Sequence, residues 1–156
     1  MSTAYAPPPQ TLPIEAKWCL EATSDRPQSH ASCIELEVAR TPQQQSWGLM
    51  GRPPLAPLRG MWFPYDQPQV LKFWMHHTPS PLDMLFIRDR RVIAIEAGAT
   101  PCPHLPCRSY GPDEPADGVV ELAAGEANRL GIRVGSPAWI GPFKPLKPQP
   151  ATPGRD

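Results

Sequence analysis

The chain has 156 residues, with 15 Lys plus Arg against 15 Asp plus Glu, so its formal net charge is zero, and 40% of it is apolar. Its 24 prolines, about three times average usage, exclude a helical bundle or a coiled coil, because each removes a helix hydrogen bond and clashes with the preceding turn. No apolar run reaches the roughly 18 residues of a membrane span, and the charge balance excludes a general nucleic-acid binder.

The first residues, MSTAYAPPPQTLP, carry neither the basic start nor the apolar stretch of a secretory signal. A cytoplasmic location is therefore expected, with a reducing environment in which structural disulfides are uncommon. Residues 1–13 and 142–156 are proline-rich. Such segments favour solvated polyproline II and bury little, so two disordered tails are expected around one β-rich domain at 14–141.

Inside that domain, Ile34, Leu36 and Val38 alternate with Glu35 and Glu37, the period of a half-buried strand over 33–39. Thr41, Pro42 and Gln44 then supply a helix N-cap, a first-turn proline and a capping-box partner. This helix is expected to run to about Met50, with Trp47 and Met50 on one face, and to stop at Gly51. A short strand at Gly60–Phe63 and a longer one at Val70–His77 follow. Asp83–Ile87 and Val92–Glu96 flank the polar tip Arg88-Asp89-Arg90-Arg91, which reads as a hairpin. After a proline-rich loop of about twenty residues, long enough to need a job or a pin, come a strand at Val119–Ala123 and a short helix at Gly125–Leu130. Gly131 would cap that helix. A last strand is expected at Pro137–Ile140. The fold class is mainly β (α+β), a small β-barrel or sandwich-like domain with two short peripheral helices.

The motifs Gly48-Leu49-Met50-Gly51-Arg52, Gly60-Met61-Trp62-Phe63, Phe73-Trp74-Met75-His76-His77-Thr78 and Pro81-Leu82-Asp83 stand in that order. Together they resemble the bacterial and archaeal family of domain of unknown function 192, whose members read GLM-x-R, GM-[LW]-F, FWMKNT and PLD. Pro101-Cys102, Cys107 with Tyr110, and Glu121 before Ala124-Gly125 also fall where that family has similar residues. The resemblance covers about residues 33–141. It departs at His76-His77, where Lys-Asn is usual, so no role needing a lysine charge or an amide is carried over there. The resemblance implies a small, mostly β domain, often exported in other members, with no agreed biochemical activity.

The residue chemistry narrows the choices. Arg52 and Asp83 are lone charges in otherwise apolar or Gly/Pro-rich motifs, and a charge drawn into such a place must be paired. They are expected to pair with each other, with Glu121 as a third member, or to hold an anion and orient a water. On a regular strand Phe73, Met75 and His77 would share one face, and Trp74, His76 and Thr78 the other. Adjacent His76 and His77 would then point apart and could not both hold one ion. Cys102, His104 and Cys107 have the ligand types for zinc or copper(I), but the C-x4-C spacing lacks a second pair. Reduced thiols are expected first. A bridge across that loop, and a second between Cys19 and Cys33, remain alternatives if the compartment is oxidising. No nucleophile elbow, P-loop or G-x-G-x-x-G is present.

The expectation is a non-catalytic binding or accessory module with a shallow site of Arg52, Trp74, His77, Thr78, Asp83 and Glu121. It needs no cofactor, and its partner is an unknown small molecule or protein. The alternative is a hydrolase- or lyase-type enzyme using Asp83 with a His and Arg52. A pocket that gathers those three would favour it.

Overall fold

Residues 8–21 and 32–143 are described by the computed structural model. Its strands are β1 (Ile14–Cys19), β2 (Cys33–Val38), β3 (Arg59–Val70), β4 (Leu82–Arg88), β5 (Arg91–Ala99), β6 (Pro115–Ala123) and β7 (Ile140–Pro142). Its helices are α1 (Pro42–Trp47) and α2 (Glu126–Arg129). The strands form one open sheet in the order β5-β4-β6-β3-β2-β1-β7. Neighbours run antiparallel except β2 and β3, which are parallel.

A hydrophobic core lies on each face of this sheet, which makes the domain sandwich-like. On β4, Leu85 and Ile87 pack with Trp18, Leu36 and Val120, while Met84 and Phe86 pack with Met61, Phe63 and Met75. Central strands covered on both faces read as near-continuous apolar runs, which is why β4 begins LDMLFI and β6 ends in VVELA. Each fully buried Leu or Phe contributes roughly 1.5–3 kcal/mol. β6 must also come close to its neighbour: a Cβ on Gly118 would lie 2.0 Å from the Trp62 ring on β3.

The local signals hold where the chemistry is local. Thr41 and Gln44 form the reciprocal capping box, with the Gln44 N–H donating to Thr41 Oγ1 over 3.1 Å. The β4–β5 hairpin turns through Asp89 and Arg90, both at positive φ. α1 ends at Trp47 and not near Met50, because Gly48 takes a φ of 49° and donates its N–H to Gln44 O over 2.8 Å.

Two expectations are corrected, and one strand was not foreseen. The Val70–His77 segment is not a strand. β3 itself reaches Val70, with Gln69 and Val70 already paired to β6. Beyond it only isolated bridges form, Phe73 with Tyr110 and His76 with Cys102, and His77 leaves the extended region at φ 57°. β1 carries no sequence prediction, yet it buries Ala16 and Trp18. The thiols are not free: Cys19 is bridged to Cys33, directly opposite it across β1 and β2, and Cys102 to Cys107.

Of the tails expected at 1–13 and 142–156, residues 1–7 and 144–156 lie outside the described residues. Just before β1, Trp47 Nε1 donates to Pro8 O over 2.8 Å, and Gln10 Nε2 donates to Gln44 O and Gly48 O over 2.9 and 3.0 Å. Among the described residues no helix is long and apolar enough to cross a membrane.

Candidate functional site

Alternation along β3 places Met61, Phe63 and Tyr65 on one face. Across the ladder Met61 pairs with Glu121 of β6, and Glu121 pairs on its other side with Met84 of β4. A carboxyl group therefore stands in a row of methionines on a face that is otherwise core. α1 and the 72–78 segment fold over this face but do not seal it. Between them is a cavity of about 340 Å³, lined by Gln45, Trp47 and Gly48 from α1 and its cap, Phe63 and Tyr65 from β3, Lys72, Phe73, Trp74 and Thr78, with Glu121.

The walls are held from behind. Gln45 Nε2 donates to Ala39 O and Pro64 O over 3.1 and 2.9 Å, fixing α1 to β3. Phe73 meets Phe63 edge-on at 5.0 Å between ring centroids, and Phe86 at 6.2 Å. The Gly51 N–H donates to His77 O over 2.8 Å, tying the 75–78 turn to the end of the helix. Lys72 Nζ is engaged outside the cavity, donating to Gly111 O and Asp113 Oδ1 over 2.6 and 3.0 Å. Trp74 is 47% exposed at the rim.

Glu121 is the unusual group. Its residue is buried, and no donor reaches its carboxyl among the described residues; burial alone pushes it up to about 8. All sealed side-chain polar atoms among the described residues have partners, so the Glu121 oxygens open into the cavity. At neutral pH the group is mostly the uncharged acid, with one O–H to donate and a carbonyl to accept. Tyr65 is raised as well, first by its own burial and then by the Glu121 charge.

The structure thus brings together Trp74, Thr78 and Glu121, and places Arg52, Asp83 and His77 elsewhere. The expected Arg52–Asp83 ion pair does not form. Arg52 instead donates through NH1 to both oxygens of Glu37, over 2.7 and 2.8 Å, with side chains only 15% and 10% exposed. The same carboxylate accepts the Leu12 N–H over 2.8 Å. Glu37 falls on what alternation marks as the outward face of β2, so only its long-range partner shows that it is buried. Asp83 uses both oxygens on backbone, accepting from Gly98 N at 2.9 Å and Ala127 N at 3.0 Å, and so pins α2 to β4 and β5. A constellation of Asp83, a His and Arg52 is not assembled.

His77 does not stand opposite His76. Its positive φ turns the ring onto its neighbour, with centroids 3.8 Å apart. His104 lies in the exposed part of the 102–107 loop, and the histidine that approaches the two cysteines is His76.

The family profile described as "Uncharacterized ACR", domain of unknown function 192, matches residues 23–138, and the chain belongs to this family. No curated protein matches it. Among solved structures, the chain is 31% identical to a protein of unknown function from Novosphingobium aromaticivorans, covering 89% of this chain and 97% of that one, with a TM-score of 0.68. It is also 31% identical to a Sinorhizobium meliloti protein described as a candidate transcription regulator, covering 82% and 92%, with a TM-score of 0.67.

Proposed function

We propose that this member of the family of domain of unknown function 192 is a binding module for a small cyclic molecule that offers a donor–acceptor edge. The observation that carries this reading is the Glu121 carboxyl, buried without a protein partner and open to an aromatic-walled cavity. A ligand that hydrogen-bonds this carboxyl in place of water gains about 0.5–1.5 kcal/mol per bond. Trp47, Phe73 and Trp74 offer ring faces for stacking, and the buried Thr78, whose hydroxyl donates to His76 O over 3.3 Å, leaves its oxygen as an acceptor. The cavity is at the small end of the roughly 300–1,000 Å³ usual for ligand pockets.

A DNA-binding reading, suggested by the description of the Sinorhizobium protein, is not favoured. The net charge is zero, and the two helices among the described residues have six and four residues, too short for groove reading. The two disulfides weigh against a cytoplasmic location, where thiols are kept reduced.

The test is a two-dimensional NMR screen of sugars, cyclic amides and heteroaromatic rings against the full chain. Binders should perturb the amides of residues 45–49, 72–78 and 121. Trp74→Ala and Glu121→Ala should each weaken them about tenfold, the loss of roughly 1.4 kcal/mol that one contact supplies. Hits that map elsewhere, or that bind both variants as tightly as the parent, would reject the proposal.

A further inference from the structure

A second cluster does not involve Glu121, and its candidate ligands are residues that do not line that cavity. His76 and Cys102 form an isolated parallel bridge, and the Cys102 N–H donates to Met75 O over 3.2 Å. This contact lays the 102–107 loop against the 75–78 turn. One ligand atom each from His76, Cys102 and Cys107 then lie within 4.8 Å of one another, and all three residues are half-buried. The rings of Trp74 and His77 flank His76 at 5.0 and 3.8 Å between centroids. We propose that this cluster is a redox-gated copper(I) site, closed while Cys102 and Cys107 are bridged and formed when a dithiol reductant opens the bridge.

The chemistry selects the metal. Two thiolates and an imidazole are a soft, three-membered set, and soft thiolates suit copper(I) and zinc. Structural zinc almost always takes four protein ligands, and a Cys2His set holds zinc only with a water or substrate in the fourth position; among the described residues this cluster supplies three, the number that a closed three-coordinate copper(I) site uses. The steps balance. The reductant gives two electrons and two protons to the sulfur–sulfur bond and is itself oxidised to its disulfide. Cys102 and Cys107 become thiols, and copper(I) binding then releases one proton from each. The imidazole binds as the neutral base, so the site carries one net negative charge. In the bridged form no thiolate exists and the metal has no purchase.

The test uses the full chain carrying Cys19→Ser and Cys33→Ser, so that only the 102–107 pair responds to reductant, with folding checked by thermal unfolding. Should that background fail to fold, the intact chain is compared with its Cys102→Ser and Cys107→Ser variants. The reduced protein is titrated without oxygen against a chromophoric copper(I) chelator, and zinc is titrated in parallel. One copper(I) per chain is expected, none in the bridged form, and X-ray absorption should report two sulfurs and one nitrogen. Even outer partners of metal ligands are worth roughly 10–100-fold in affinity, so loss of the His76 imidazole (His76→Ala, with His76→Gln as the second variant) should cost at least about tenfold. His104→Ala should bind like the parent. A reduced protein that yields all its copper to the chelator, that prefers zinc, or that depends on His104 and not on His76 would overturn the proposal.

Discussion

Replacing Glu121 by Gln should flatten the dependence of stability on pH. The Glu121 carboxyl stands at about 8 in the folded chain, against 4.5 for an ordinary glutamate. Between those values the folded chain keeps a proton that the unfolded chain releases, so stability falls as pH rises through this window and levels off above it. A separation of about 3.5 pH units at roughly 1.4 kcal/mol each sets a ceiling of about 5 kcal/mol. Most of that falls between about pH 5 and pH 9, where the parent should lose about 4 kcal/mol on this account. Glutamine has nearly the same shape and no proton to lose. Urea unfolding of parent and Glu121→Gln across that range should give curves that diverge steadily, with the variant gaining relative to the parent toward alkaline pH. Parallel curves would refute the reasoning, since they would mean that Glu121 meets the same surroundings folded and unfolded.

Two further outcomes follow from the packing. Arg52→Met and Glu37→Gln should each cost about 3 kcal/mol in urea unfolding, because each strands a mostly buried partner, while the double change should cost less than their sum; strict additivity would remove the pair from the account. Gly118→Ala should cost about 1–3 kcal/mol, since the added methyl has to displace the Trp62 ring, and an unchanged Tm would show that the ring moves freely.

Much of the scaffold was legible wherever one segment carries its own instruction. The alternation of Ile34, Leu36 and Val38, the Thr41-Pro42-Gln44 start of α1, the Asp89-Arg90 turn and the short helix before Gly131 each depend on neighbours within a few residues. Glu121 was legible in part, through the family resemblance that sets a glutamate before Ala124-Gly125. What it does there was not legible, because the cavity is made by α1 and the 72–78 segment, far away in sequence. The aromatic, β-branched composition of Val70–His77 promised a strand, but β3 had already taken the place beside β6, and no ladder was left for it. Arg52 finds Glu37 and not Asp83 because both Asp83 oxygens are taken by the Gly98 and Ala127 N–H groups, while the Glu37 carboxylate stands within reach of the segment that leads into β3. The cysteine partners were set by cross-strand register for Cys19 and Cys33, and by loop closure for Cys102 and Cys107. His76 reaches the second pair through a single backbone bridge. Local propensity and capping chemistry act over a few residues and can be read along the chain. Partners of buried charges, walls of cavities and ligands of a metal come from long-range pairing, and only the folded sheet decides them.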